Sequence, residues 1–238
     1  MSNDCTAHES AKSETLKVVC FGDSITGQPD HRKFLKWSDI LACMLEARLG
    51  PGRSEVLNRG IAGDTTDGAL ARVDGDVVKE KPGVVVVLLG GNDMHGVPPE
   101  ARGAALAKVT ANLREVFRRI RAAGAKILAL QYHVIPNPAD PEAAWAHLPL
   151  ANPCLAAVAA EGGAPVLALN EIMAAAYAEG SFTALAGRDA SGAATWKTER
   201  LTQEHLVSAV DGVHLNPGGE LVFARAVFAK LAELGWLP

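Results

Sequence analysis

Short runs rich in β-branched residues alternate along the chain with segments whose apolar residues recur every three or four positions. The runs are Leu16–Phe21, Glu55–Leu57, Gly83–Leu89, Lys126–Gln131 and Pro165–Ala168. Within the third, Val84–Leu89 is apolar at every position, as a strand buried on both faces of a parallel sheet would be. Between the runs, Trp37, Ile40, Leu41, Met44 and Leu45 share one helical face, and so do Leu106, Val109, Leu113, Phe117 and Ile120. A last helix is expected to open at Pro217, where a fixed φ suits the first turn, and to carry Leu221, Val222, Val227, Phe228 and Leu231. The alternation predicts an α/β fold, a single doubly wound domain over 16–238 preceded by a polar, flexible segment over 1–15.

Two stretches break the pattern. His133–Pro149 holds Pro136, Pro138, Pro141 and Pro149 and reads as a long loop after the fourth strand. Ser181–Val210 mixes Gly, Ser, Thr and charges around Trp196 and reads as a long loop or insertion. Loops of this length in a small domain are usually functional or disordered, and in an open α/β sheet those at strand C-terminal ends border the ligand crevice.

Composition narrows the classes. With 238 residues, 48% hydrophobic, 21% charged and a formal charge of −4, the chain has ordinary globular character and no Lys/Arg block for nucleic acid or anionic lipid. The first fifteen residues, MSNDCTAHESAKSET, contain no apolar core of a secretory signal, and no apolar run approaches the 18 or so residues a membrane span needs. Cys5, Cys20, Cys43 and Cys154 form no CxxC pair, so the expectation is four reduced thiols in a cytoplasmic protein. No HExxH or comparable spacing links the seven histidines, and neither metal nor other cofactor is expected.

The first strand runs into Phe21-Gly22-Asp23-Ser24-Ile25-Thr26-Gly27. A serine between glycines at a strand-to-helix turn suits either a nucleophile or a phosphate loop. Gly22 and Gly27 have the Walker separation, but Gln28 and Pro29 replace the required lysine and hydroxyl. The GxSxG elbow also fails, since Thr26 stands at its second glycine. A nucleophilic serine needs a base and the base an orienting acid; Asp211-Gly212-Val213-His214 before the last helix offers both, although one DxxH also fits a surface histidine. Donors for an oxyanion could come from Asn58-Arg59-Gly60-Ile61-Ala62-Gly63-Asp64-Thr65 and Gly90-Gly91-Asn92-Asp93, each of which alone also fits a plain turn.

Taken in order, GDS, NxGxxGDT, GGND and DGVH resemble the SGNH, or GDSL, hydrolase family of esterases and lipases from about Val18 to Ala232. The resemblance implies a flavodoxin-like three-layer α/β/α sandwich with a five-stranded parallel sheet in the order 2-1-3-4-5. It implies Ser24 as nucleophile, the Ser24 N–H, Gly63 and Asn92 as oxyanion donors, and His214 as base oriented by Asp211. The implied activity is cofactor-free hydrolysis of a carboxylic ester; an aromatic content of 5% and two long segments rich in Pro, Gly, Ser and charge add the expectation of short acyl or acetyl esters of small molecules. An acyl thioesterase or lysophospholipase is the nearest alternative, and a nucleotide- or flavin-binding module on the same sheet is the alternative from another class. The Ser181–Val210 segment departs from small family members and bears on which substrate fits. No nucleic-acid partner and no membrane insertion are expected, and a homo-oligomer is left open.

Other residues carry two readings each. Asp23 is expected to bond backbone N–H groups of its own turn, and Asp64 and Asp93 to shape their loops. His95 and His133 either touch substrate or are loop histidines bonded to solvent. Trp145 and Trp196 either pack the irregular loops down or line an acyl or leaving-group pocket.

Overall fold

Five strands, β1 (Leu16–Gly22), β2 (Ser54–Gly60), β3 (Val84–Leu88), β4 (Lys126–Gln131) and β5 (Val166–Ala168), pair in parallel in the order β2-β1-β3-β4-β5. The structure, a computed structural model, describes residues 15–27, 35–134, 145–179, 182–188, 194–199 and 213–238. The helices are α1 (Trp37–Leu49), α2 (Thr66–Asp76), α3 (Arg102–Ala122), α4 (Asn152–Glu161), α5 (Leu169–Glu179) and α6 (Pro217–Glu233).

The period-two geometry of the central strands divides the core. Val84, Val86 and Leu88 of β3 face Trp37, Leu41 and Leu45 of α1 and Phe223, Val227 and Leu231 of α6. Val85 and Val87 face Ala69 and Val73 of α2, Leu113 and Phe117 of α3, and Leu155 and Val158 of α4. Every residue of β3 is buried, which is why its sequence shows no alternation. The result is the expected three-layer α/β/α sandwich with the expected strand order. The last helix starts at Pro217 as read from the sequence.

Several strand ends shift by a residue from the sequence reading, and β2 and the two irregular stretches differ more. β2 extends from Ser54 to Gly60, so Asn58, Arg59 and Gly60 belong to the strand and pair with Cys20, Phe21 and Gly22. After β4 the described chain resumes at Trp145 as a turn leading into a 3₁₀ helix (Leu148–Ala151), so the irregular stretch ends earlier than Pro149. Within Ser181–Val210, read as a long loop or insertion, β6 (Phe182–Arg188) and β7 (Ala194–Glu199) pair antiparallel, with a register irregularity between Leu185 and Arg188. The Asp-Ala-Ser-Gly-Ala connection is a hairpin signal that the mixed composition of the flanking runs obscured. The flexible segment expected over 1–15 lies outside the described residues apart from Thr15.

One buried ion pair ties the two helices on one face of the sheet, α1 and α6, to each other beside the site. Lys36 Nζ donates to Glu220 Oε1 at 2.5 Å, and the other oxygen accepts the Trp37 N–H at 2.7 Å. Both side chains are essentially inaccessible. Glu220 sits in the first turn of α6, and the Trp37 indole donates to the Ile25 carbonyl at 3.2 Å, so the pair connects the base-bearing end of the chain to the Ser24 turn. Removing one partner leaves the other charge buried, which costs about 3–5 kcal/mol. Lys36→Met is therefore expected to lower the unfolding free energy by about that amount in urea titrations; a change under about 1 kcal/mol would show that the pair carries no such role.

Candidate active site

The strand order changes direction between β1 and β3, the position where open α/β sheets form their ligand crevice. Gly22 of β1 lies in register with Gly60 of β2 and Leu88 of β3, so the loops that follow these strands leave the sheet at one level. These loops carry Ser24, Gly63 and Asn92.

Ser24 sits in a tight turn closed by the Thr26 and Gly27 N–H groups donating to the Asp23 carbonyl at 3.2 and 2.7 Å. The turn packs directly on the end of β2: a Cβ added to Gly60 would lie 2.0 Å from the Gly27 nitrogen, and one on Gly27 2.7 Å from the Gly60 carbonyl oxygen. Only glycine permits that approach. Asn58 holds the same junction, donating to the Thr26 carbonyl at 2.7 Å and to Ser38 Oγ at 2.8 Å while accepting the Gly60 N–H.

His214 stands two residues before the N-cap of α6, and its Nε2 lies 2.9 Å from Ser24 Oγ. Chain positions 190 residues apart are thus brought within hydrogen-bond distance. Asp211, the carboxylate expected to orient His214, lies outside the described residues.

Gly63 follows β2 at φ +73°, a left-handed conformation that side chains strain to adopt. It is exposed, and its N–H and that of Ser24 donate to no acceptor among the described residues. Asn92 opens a short 3₁₀ helix after β3, and its Nδ2 donates to the Asp64 carbonyl at 2.9 Å and to Asp23 Oδ2 at 3.4 Å. Asp64 is in turn gripped by Arg72, whose guanidinium also reaches the Arg59 and Gly22 carbonyls and lies over the Phe21 ring. Asp93 accepts the Thr66 N–H and hydroxyl at the start of α2. Asp64 and Asp93 therefore shape their loops, as their positions suggested.

Asp23 does more than fix its own turn. Its Oδ1 accepts the Ile25 N–H at 2.9 Å, as expected, but Oδ2 accepts the Tyr132 hydroxyl at 2.5 Å in addition to Asn92. Tyr132 OH also accepts the Gly91 N–H at 3.0 Å. The serine turn and the Asn92 turn are thereby joined through one buried phenol. Sequence reasoning missed Tyr132; its place just beyond β4, at the crevice end of the sheet, was the available signal. The next residue points elsewhere. His133 is buried, stacks edge-to-face on Phe223 and bonds the Val213 carbonyl through Nε2 at 2.8 Å. It braces the His214 segment and is neither a substrate contact nor a solvent-bonded loop histidine.

These two buried groups titrate in opposite senses. Burial raises Asp23 to about 6, with Asp64 adding to the rise and the Tyr132 and Ile25 hydrogen bonds and Lys36 opposing it. Burial lowers His133 to about 4, a fall partly opposed by its bond to Val213. A carboxyl raised from its ordinary 3.8 contributes stability fully present below that value and lost as pH rises through about 6. A histidine lowered from 6.5 contributes stability present above 6.5 and lost as pH falls through about 4. Each amounts to about 3 kcal/mol, so in the intact protein they nearly cancel between pH 4 and 6. Asp23→Asn is expected to expose the histidine alone, with unfolding free energy rising about 3 kcal/mol more than wild type between pH 4 and 6.5. Parallel urea-derived curves for the two proteins would refute it.

Beside His214, the Trp145 ring stands 6.2 Å away in an edge-to-face arrangement, flanked by His147 and His95. Trp145 thus borders the site, while the Trp196 side chain lies outside the described residues. Among the described residues no three His, Cys, Asp or Glu side chains gather as a metal site requires, and no helix is long and apolar enough to cross a membrane.

A serine hydroxyl within reach of an imidazole, with backbone and amide donors beside it, can perform nucleophilic acyl transfer. The comparisons with known proteins point the same way. The sequence model of the GDSL-like lipase/acylhydrolase family matches residues 20–220. Esterase TesA of Pseudomonas aeruginosa is 37% identical over 131 residues, covering 54% of this chain and 59% of the relative. An arylesterase of Vibrio mimicus is 32% identical over 135 residues, covering 56% and 62%. The chain thus matches about six tenths of the length of these curated relatives. Among solved structures, a lipase/acylhydrolase from Enterococcus faecalis superposes with a TM-score of 0.64 at 22% identity, over 92% of this chain and 97% of that one, a likeness of fold.

Proposed function

The chain belongs to the GDSL-like lipase/acylhydrolase family, and on that footing we propose that it is a serine hydrolase of carboxylic esters. The observation that carries the reading is the 2.9 Å contact between Ser24 Oγ and His214 Nε2 at the crevice end of the sheet. Ser24 attacks the acyl carbonyl as His214 takes its proton. The oxyanion is received by the Ser24 and Gly63 N–H groups and the Asn92 amide, and Asp211 is assigned the role of orienting the imidazole. His214 then returns the proton to the departing alcohol. Water, activated by the same imidazole, releases the acid from the acyl-enzyme. Side chains and water account for each step, so the mechanism calls on no cofactor. The curated relatives named as esterases support this chemistry. A nucleotide- or flavin-binding role is disfavoured because Gln28 stands where a phosphate loop needs its lysine, and the turn after β1 instead presents a serine paired with a histidine.

The substrates proposed are short-chain or acetyl esters of small soluble molecules. Aromatic residues make up only 5% of the chain, and the sequence of its two long irregular stretches is rich in Pro, Gly, Ser and charge, not the composition of a surface that meets an aggregated lipid. Each methylene held in an apolar pocket contributes at most about 0.8 kcal/mol. Across p-nitrophenyl esters, kcat/KM is therefore expected to peak between acetate and butyrate and to fall by the C8 ester. A profile rising steadily to C12 or C16 would reject the short-chain reading and favour a lysophospholipase or long-chain thioesterase.

A further inference from the structure

Trp145 departs from its surroundings in two ways. It is one of two non-glycine residues with positive φ among those described, at +72°, a strained conformation for a bulky side chain that tends to occur at functional sites. The strained turn is held by the Leu148 N–H donating to the Trp145 carbonyl at 3.0 Å. Its indole is also the centre of a ring cluster: 5.8 Å from His147, 6.4 Å from His95 and 6.2 Å from His214, with His95 and His147 5.0 Å apart. Packing alone does not account for this arrangement, because His95 is exposed and Trp145 and His147 are only partly buried. His147 Nε2 has no hydrogen-bond partner among the described residues. Burial, and then the adjacent His95, holds His147 below the usual imidazole range, so it is a neutral ring able to donate to or accept from a hydroxyl.

The side of the site follows from proton delivery. The carbonyl oxygen of an ester turns toward the Ser24, Gly63 and Asn92 donors. The alcohol oxygen must turn toward His214, which protonates it as it leaves. A wall packed against the His214 imidazole therefore borders the alcohol and not the carbonyl oxygen. Resting on the ester-hydrolase reading, we propose that Trp145, His95 and His147 form a leaving-group subsite for a ring-bearing alcohol, an aryl or sugar hydroxyl. The ring lies against the indole, and the imidazoles contact its edge or its neighbouring hydroxyls.

The test compares acetates that share one acyl group and differ in alcohol: phenyl acetate, an acetylated methyl xyloside and ethyl acetate. kcat/KM reports the acylation step, in which the alcohol is still attached. The expected result is that Trp145→Ala lowers kcat/KM about 10-fold or more on a ring alcohol relative to its effect on ethyl acetate, the scale of one aromatic contact. His147→Ala, which keeps the indole, is expected to shift the ratio in the same direction by a smaller factor. A loss confined to phenyl acetate assigns the subsite to aryl alcohols, and one confined to the xyloside assigns it to sugars. Equal losses on all three acetates would mean that Trp145 serves only to support His214 and would overturn the subsite alone. A loss that instead follows acyl length between phenyl acetate and phenyl butyrate would overturn it by placing the wall on the acyl side. If the wild-type protein hydrolysed none of these acetates, the ester-hydrolase reading itself would fall, and the subsite with it.

Discussion

Ser24→Ala is expected to lower kcat on p-nitrophenyl acetate by about 10⁴-fold or more, and His214→Ala by a similar factor. The two losses should resemble each other because the groups act as one unit. With Ser24 Oγ 2.9 Å from His214 Nε2, the hydroxyl becomes an effective nucleophile only as its proton passes to the imidazole. For the same reason the double variant should be little worse than either single one. Both side chains are partly exposed at the crevice, so neither truncation opens a core cavity, and circular dichroism should report an unchanged fold. Ser24→Ala activity within tenfold of wild type would remove the mechanism proposed for this site.

Asn92→Ala is expected to cost about 10²–10³ in kcat, with KM nearly unchanged. One Nδ2 hydrogen is committed to the Asp64 carbonyl at 2.9 Å, whereas the other makes only a long 3.4 Å contact to Asp23. That weak contact keeps the amide aligned while leaving it free to lean toward an oxyanion. The negative charge develops only in the transition state, so the loss should fall on kcat and not on substrate binding. A variant whose KM rose tenfold at constant kcat would identify Asn92 as a ground-state contact instead.

The layers of this fold were legible because each depends on local pattern. The unbroken apolar run of β3, the helical spacing in α1 and α3 and the proline at the start of α6 were readable from neighbouring residues. The resemblance then ordered the strands and brought together residues from opposite ends of the chain. What the sequence hid are groups whose partners lie far along it. Lys36 before a helix reads as a surface lysine until Glu220, 184 positions later, is folded against it. Tyr132 and His133 look like neighbours with one role, yet one supports Asp23 and the other supports Val213. Trp145 gave no hint of its positive φ, because nothing local to an indole demands that conformation. The β6–β7 hairpin was hidden by flanking runs too polar and too mixed to resemble strands of the main sheet.

Labelling with a fluorophosphonate, followed by proteolysis and mass mapping, tests the central claim most directly, since the reagent forms a stable adduct only with a serine activated as a nucleophile. The account predicts a single adduct on Ser24, lost in Ser24→Ala and strongly slowed in His214→Ala. An adduct on a different serine, or an unlabelled protein that still hydrolyses esters, would contradict it.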